Sequence, residues 1–225
     1  MAITHFLQKV APKYATQEYK GQVDVLEHDA GAAVRKVTWT SADFSHFDHN
    51  FAKDMTSFFQ IAQSPDIFHL DCDGVVLFEN DGKKYMFLTE LKSKFATQTL
   101  YHAKTQIISS FLKTNMFLHL SNCYKLEDYT IKGFIVGYAP APDFTINMHK
   151  GSMLSGKSQK YREFQLAHRL FIHNKSQKIT LKPTDFLCLK GIPIGERGIF
   201  PKIDLHYITV PDGSSEITLD ANAYL

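Results

Sequence analysis

The stretch Phe68 to Phe95, FHLDCDGVVLFENDGKKYMFLTELKSKF, decides the fold. Two runs of β-branched, aromatic and aliphatic residues, Val75 to Phe78 and Tyr85 to Leu88, flank Asn80-Asp81-Gly82-Lys83. Asp-Gly between such runs is a strong hairpin signal, because a two-residue type I′ turn needs positive φ at both positions. With Asp81 and Gly82 as that turn, Asn80 pairs with Lys83, Asp73 falls opposite Glu90 and Asp71 opposite Lys92. Alternation then brings Asp71, Asp73, Glu90 and Lys92 to one face at the open end of the hairpin, with Cys72 pointing away.

Directly opposed Cβ atoms lie about 5 Å apart, so two carboxylates there repel unless a cation lies between them. Carboxylate oxygens are hard ligands suited to Mg²⁺ or Mn²⁺, and Mg²⁺ uses one or two protein carboxylates while keeping waters and phosphate oxygens. Lys92 would face the same water and phosphate, able to orient or deprotonate the one and neutralise charge on the other. These are the parts for hydrolysing a phosphodiester. The plainer alternative is a surface hairpin whose Asp71, Asp73, Glu90 and Lys92 form solvated ion pairs.

At these positions the chain resembles the PD-(D/E)XK nuclease superfamily, through Asp73 at the start of one strand, Glu90-Leu91-Lys92 ending the next, and a helix beyond. Glu-x-Lys alone carries no weight, since Glu18-Tyr19-Lys20 fits it too. A literal Pro-Asp occurs at Pro65-Asp66, but its place before the strand and its parity favour Asp73, with Asp71 second. The resemblance implies an α/β fold, a restriction-endonuclease-like mixed β-sheet core flanked by helices over about residues 43–140. A basic helix and further strands would elaborate the C-terminal half, about 141–225, within a single domain spanning 1–225. It also implies that Asp73, Glu90 and the Leu91 carbonyl bind the metal and that Lys92 assists the water. In many relatives an acid from the first helix joins them, a role that would fall to Asp48.

Around the hairpin, Val23 to Leu26 and Val34 to Thr40 suit short strands. From Asp43 to Gln63 the residues Phe44, Phe47, Phe51, Met55, Phe58, Phe59 and Ala62 recur at helical spacing, predicting one amphipathic helix. A second helix is expected over Thr97 to Lys113. Its N-terminus would lie near the metal, with Lys94, Tyr101, Lys104 and Gln106 as substrate contacts. Several family branches carry Gln and Tyr four residues apart on this helix; here Ser110 follows Gln106, so the signature is incomplete. Ile131 to Ala139 suits a buried strand.

Between Lys150 and Lys182 eight Lys or Arg residues stand against one acid, Glu163, with Tyr161, Phe164 and Phe171 among them. A basic helix after the Gly151 to Gly156 loop could neutralise phosphates and stack bases through Lys157, Lys160, Arg162 and Arg169; an ordinary solvated amphipathic helix is the alternative. Strands are expected over Thr180 to Leu189 and Lys202 to Val210, and the acidic tail after Pro211 suits an edge strand or assembly.

A chain of 225 residues that is 44% hydrophobic can bury a substantial core, and a net charge of +2 names no partner by itself. Cys72, Cys123 and Cys188 are far apart and in no ligand spacing, which suits reduced thiols. The start lacks a signal-peptide pattern and no apolar run reaches membrane length. The expectation is a soluble cytoplasmic protein without a membrane partner. Its first functional reading is a Mg²⁺- or Mn²⁺-dependent DNA endonuclease, with RNA kept open as substrate. Since no sequence-reading module is appended, cleavage would be either weakly sequence-specific or controlled by a partner. Because a small stand-alone nuclease is hazardous to its host, control by a partner protein or homo-oligomerisation is expected, as in a bacterial antiviral or toxin-like system. The competing reading is a non-catalytic nucleic-acid-binding or assembly subunit of nuclease-like fold.

Overall fold

The structure is a computed structural model that describes residues 2–14, 17–47, 49–141, 144, 158–173 and 177–225. Its strands are β1 (Gln17–Tyr19), β2 (Gln22–Leu26), β3 (Lys36–Thr40), β4 (Phe44–His46), β5 (Gly74–Asn80), β6 (Lys83–Lys92), β7 (Tyr129–Tyr138), β8 (Lys178–Leu181), β9 (Ile203–Val210) and β10 (Glu216–Asp220). The helices among the described residues are α1 (Ala2–Val10), α2 (His49–Ile61), α3 (Thr97–Leu118) and α4 (Gln159–His168).

The hairpin forms in the register the turn dictates. Asp81 and Gly82 have φ of 50° and 73°, and pairing runs from Asn80↔Lys83 to Gly74↔Thr89. Strand β6 then pairs in parallel with β7, and β7 with β9, giving a mixed seven-stranded sheet in the order β1-β4-β5-β6-β7-β9-β8. The sheet therefore continues from the hairpin into strands of the C-terminal half.

Alternate residues of the central strands feed two different cores. Val75, Leu77, Met86, Leu88, Ile135 and Leu205 pack with Phe51 of α2, Ile107 and Phe111 of α3, and Leu166 of α4. Val76, Phe78, Phe87, Phe134 and Val136 face the other way, onto Val23, Val25, Val37 and Trp39 of a second sheet, ordered β10-β3-β2. The architecture is thus α/β, with helices on one face of a mixed sheet and a small sheet on the other. Both faces being covered explains why these strands are apolar on both sides. Trp39 is fully buried, its ring against Phe87 and Phe134 at 5.0 and 4.6 Å, its Nε1–H donating to Thr89 Oγ1 at 3.2 Å.

Three expectations need correction. The helical pattern from Asp43 is interrupted: Phe44–His46 is β4, paired with β5, and the helix starts only at His49. Phe44 meets Phe78 at 5.2 Å, so strand pairing wins over a periodicity that short aromatic runs satisfy equally well. Of the strand expected over residues 180–189, only Thr180 and Leu181 pair, as the end of β8, and 3₁₀ turns follow at Pro183–Asp185 and Leu187–Leu189. Pro183 has no N–H to continue a ladder. Cys72, expected to point away from the carboxylate face, precedes the paired strand, so parity does not govern it; it lies in the helix-side core with Met86 and Leu88, which share the parity of Glu90 on β6. The acidic tail supplies β10, an edge strand parallel to β3, with Glu216 and Lys36 paired at 2.7 Å. No helix among the described residues is long and apolar enough to cross a membrane.

Candidate active site

The open end of the hairpin gathers the acids. Ladder pairing stops at Gly74, and Asp73, one residue earlier, extends the strand with its side chain: Oδ2 accepts from the Leu91 N–H at 2.6 Å. Glu90 lies on β6 at 1% exposure. Its Oε1 accepts from Lys92 Nζ, two residues on along the same face, whereas its Oε2 is buried with no hydrogen-bond partner. The expected set of Asp73, Glu90 and Lys92 therefore sits together, with the Leu91 backbone tied into it.

Burial dominates the electrostatics here. It pushes the Asp73 carboxyl up to about 7, against the opposing pull of the Leu91 N–H; the charge of Glu27 adds to the rise, and Lys92 opposes it. Glu90 is raised well above the ordinary carboxylate range, first by burial and then by the charge of Asp73, with Lys92 opposing. Two buried carboxyls, one raised by the charge of the other and both opposed by a single lysine, are short of positive charge.

The segment leading to Asp73 is held by side chains of α3. Ser109 Oγ donates to the Leu70 carbonyl at 2.6 Å, and Lys113 Nζ donates to the same oxygen. Gln106 Nε2 donates to the Asp71 carbonyl at 2.9 Å, and the Cys72 N–H donates to Ser110 Oγ at 2.8 Å. Positions 106, 109, 110 and 113 share one helical face, so one stripe of α3 fixes three successive residues before Asp73. Lys113, 1% exposed and also bonded to Thr56 Oγ1, is lowered to about 8, chiefly by burial.

The other expected contacts separate. Lys94 is exposed two residues beyond Lys92. Gln106 is spent on the Asp71 backbone. Lys104 is buried, at 4% exposure, its ammonium donating to the Asp185 carbonyl at 3.0 Å and lying over the Tyr101 and Phe186 rings. It therefore offers no solvent-facing charge to a phosphate, a placement that helix surface patterning does not reveal. On α4, Lys160 is exposed and Arg162 half-buried, its charge acting on Tyr101. Arg169 is exposed and lies 3.7 Å from the Asp185 carboxylate. Asp48 and Lys157 lie outside the described residues.

Sequence reasoning missed Glu27 and His102. Glu27 acts on both acids from the loop after β2, and the signal was the alternation Val23, Val25, Glu27. His102, on the second turn of α3, is lowered by burial and by the charge of Lys92; its sequence context gives no sign of this.

Among the described residues, no three His, Cys, Asp or Glu are gathered closely enough to hold a metal by themselves. The site still fits a hard divalent cation that retains waters: two buried carboxyls, a deficit of positive charge and a carboxylate oxygen without a partner. Compared with protein families, curated proteins and solved structures, this chain matches none.

Proposed function

We propose that the chain is a divalent-metal-dependent nuclease of the PD-(D/E)XK type that hydrolyses DNA phosphodiesters with Asp73, Glu90 and Lys92, on a restriction-endonuclease-like core. The observation that carries this reading is Glu90, a carboxylate 1% exposed with one oxygen on Lys92 and the other unpartnered, beside a second buried carboxyl. A structural ion pair needs neither the second acid nor the orphaned oxygen, whereas strongly perturbed acids cluster where chemistry is done.

Asp73, Glu90 and the Leu91 carbonyl would hold Mg²⁺ or Mn²⁺. Bound there, the ion supplies charge neutralisation and a lowered water pKa. Lys92 is oriented by Glu90 Oε1, and from there its ammonium stabilises the negative charge that builds on phosphate as the water oxygen bonds to phosphorus and the ester P–O bond breaks. The Leu91 N–H holds the Asp73 carboxyl in place. The α3 stripe keeps the preceding residues from drifting, which matters because small displacements of a catalytic group cost rate. Lys94, Lys160, Arg162 and Arg169 serve the strand's phosphates without reading sequence, so choice of target falls to DNA structure or to a controlling partner or oligomer.

The test is cleavage of supercoiled plasmid, linear duplex, single-stranded DNA and RNA with Mg²⁺, Mn²⁺ or EDTA. Cutting of DNA that needs the metal and disappears in Glu90→Ala and Lys92→Ala is the expected result. Salt-sensitive binding without cutting under every condition would favour the non-catalytic subunit instead.

A further inference from the structure

A phosphate that is to meet Glu90 has to be carried below the protein surface. The Glu90 side chain is 1% exposed and that of Lys92 is 19% exposed. Glu90 Oε2 is wholly buried, and Asp73 is half-buried. The acids thus line a recess, not a ridge, with Lys92 toward its rim. What stands around that rim decides which phosphates enter.

The surroundings are fastened on three sides. The loop between β2 and β3 is latched to the residue after Lys92, since Ser93 Oγ accepts from the Ala33 and Val34 N–H groups at 2.6 and 3.4 Å. That loop is also stitched within itself. The Glu27 N–H donates to the Arg35 carbonyl at 2.9 Å, and Arg35 Nε donates to the Ala32 carbonyl at 3.1 Å. On the β7 side, a Cβ at Gly137, the ladder partner of Lys92, would come within 2.8 Å of the Lys92 carbonyl oxygen and 2.9 Å of Tyr207 Oη. The bare glycine lets Tyr207 close up against the end of β6. Tyr207 is itself fixed, its Oη donating to the Tyr138 carbonyl at 2.6 Å and its ring packed on Phe95 and Phe171 at 5.7 and 4.9 Å. The α3 stripe, holding Leu70, Asp71 and Cys72 in place, forms the third side.

Such a recess discriminates between forms of DNA. A duplex is stiff, with a persistence length of about 50 nm, and its phosphates line the outside of a thick rod. Drawing one phosphodiester below a fastened surface requires local unpairing and unstacking, a cost that an unpaired strand does not bear. A single strand can bend at the nucleotide that enters while basic groups outside track its backbone. Lys94, exposed two residues beyond Lys92, is placed for that contact. We infer that the substrate is an unpaired strand, whether single-stranded DNA or the unpaired stretch of a bubble or flap, in preference to continuous duplex. This rests on the nuclease reading of Asp73, Glu90 and Lys92 and names the DNA structure it selects.

The experiment compares initial cleavage rates of the full chain in Mg²⁺ on one labelled sequence presented as a single strand, as a continuous duplex and as a duplex with a central unpaired bubble, with Lys92→Ala in parallel. The single strand and the bubble are expected to be cut at least about tenfold faster than the duplex, with bubble cuts confined to the unpaired stretch. Supercoiled plasmid, strained toward unpairing, should be nicked faster than the same plasmid relaxed. A second readout needs no turnover: in EDTA, the single strand should slow hydrogen exchange over residues 93–97 and 30–34, and the duplex should not. Duplex cut as fast as single strand, with cutting lost in Lys92→Ala, would overturn the strand preference and leave the nuclease standing. Equal slowing of exchange by both forms would overturn the preference too. No metal-dependent cutting of any substrate would overturn both readings. Ser93→Ala, which frees the loop, is expected to shrink the preference, and an unchanged ratio would remove the loop from the account.

Discussion

Substituting Asp73 by Asn should stabilise the metal-free protein, by an amount that grows with pH. The Asp73 carboxyl stands at about 7 in the fold against 3.8 for an ordinary aspartate. A carboxyl whose folded value is raised contributes its full stability below the unfolded value and loses it as pH climbs to the folded value. The interval is worth up to about 4 kcal/mol above pH 7 and about 1.5 kcal/mol at pH 5. Asparagine carries no charge to desolvate, and its carbonyl can still accept from the Leu91 N–H. Because the vacated charge also eases ionisation of Glu90, the expected gain at pH 8 is about 2–4 kcal/mol, or roughly 5–10 °C in Tm for a chain of this size. Thermal and urea melts in EDTA at pH 5 and pH 8 measure it, and Mg²⁺ should narrow the gap by stabilising wild type alone. A variant no more stable than wild type at pH 8, or a gain equal at both pH values, would refute the view that Asp73 is held there at an electrostatic cost.

Gly74→Ala should destabilise by about 1–3 kcal/mol in chemical denaturation, because the new methyl has to displace the fully buried Val25. Lys113 is lowered to about 8, so wild-type stability should rise between about pH 8 and 10.5 as the unfolded chain's lysine alone stays charged. Lys113→Met should flatten that rise by roughly 1–3 kcal/mol in pH-resolved melts. Lys94→Glu should weaken DNA binding across all sequences and, in a salt titration, lower the slope of log affinity against log salt by about one phosphate contact or more.

The hairpin was legible because Asp81-Gly82 encodes its own turn and the turn fixes the register, so the meeting of Asp73, Glu90 and Lys92 follows from local chemistry. What was not legible depends on contacts between distant segments. Phe44 fits a helical stripe and a strand equally well, and only pairing with Phe78 decides. Lys104 and Lys113 look like surface charges of an amphipathic helix until the 3₁₀ turns near Asp185 and the segment before Asp73 bury them. Val25 lies far from the hairpin in sequence and meets it at Gly74 through sheet-on-sheet packing, a contact that the alternation along β2 does not locate.

The most direct test of the catalytic reading is Mg²⁺-dependent nicking of supercoiled plasmid by wild type and by Lys92→Ala prepared identically, with both shown folded by their melting curves. Nicking by wild type that EDTA stops and Lys92→Ala lacks is the predicted result. Equal nicking by the two proteins, or none by wild type, would contradict it.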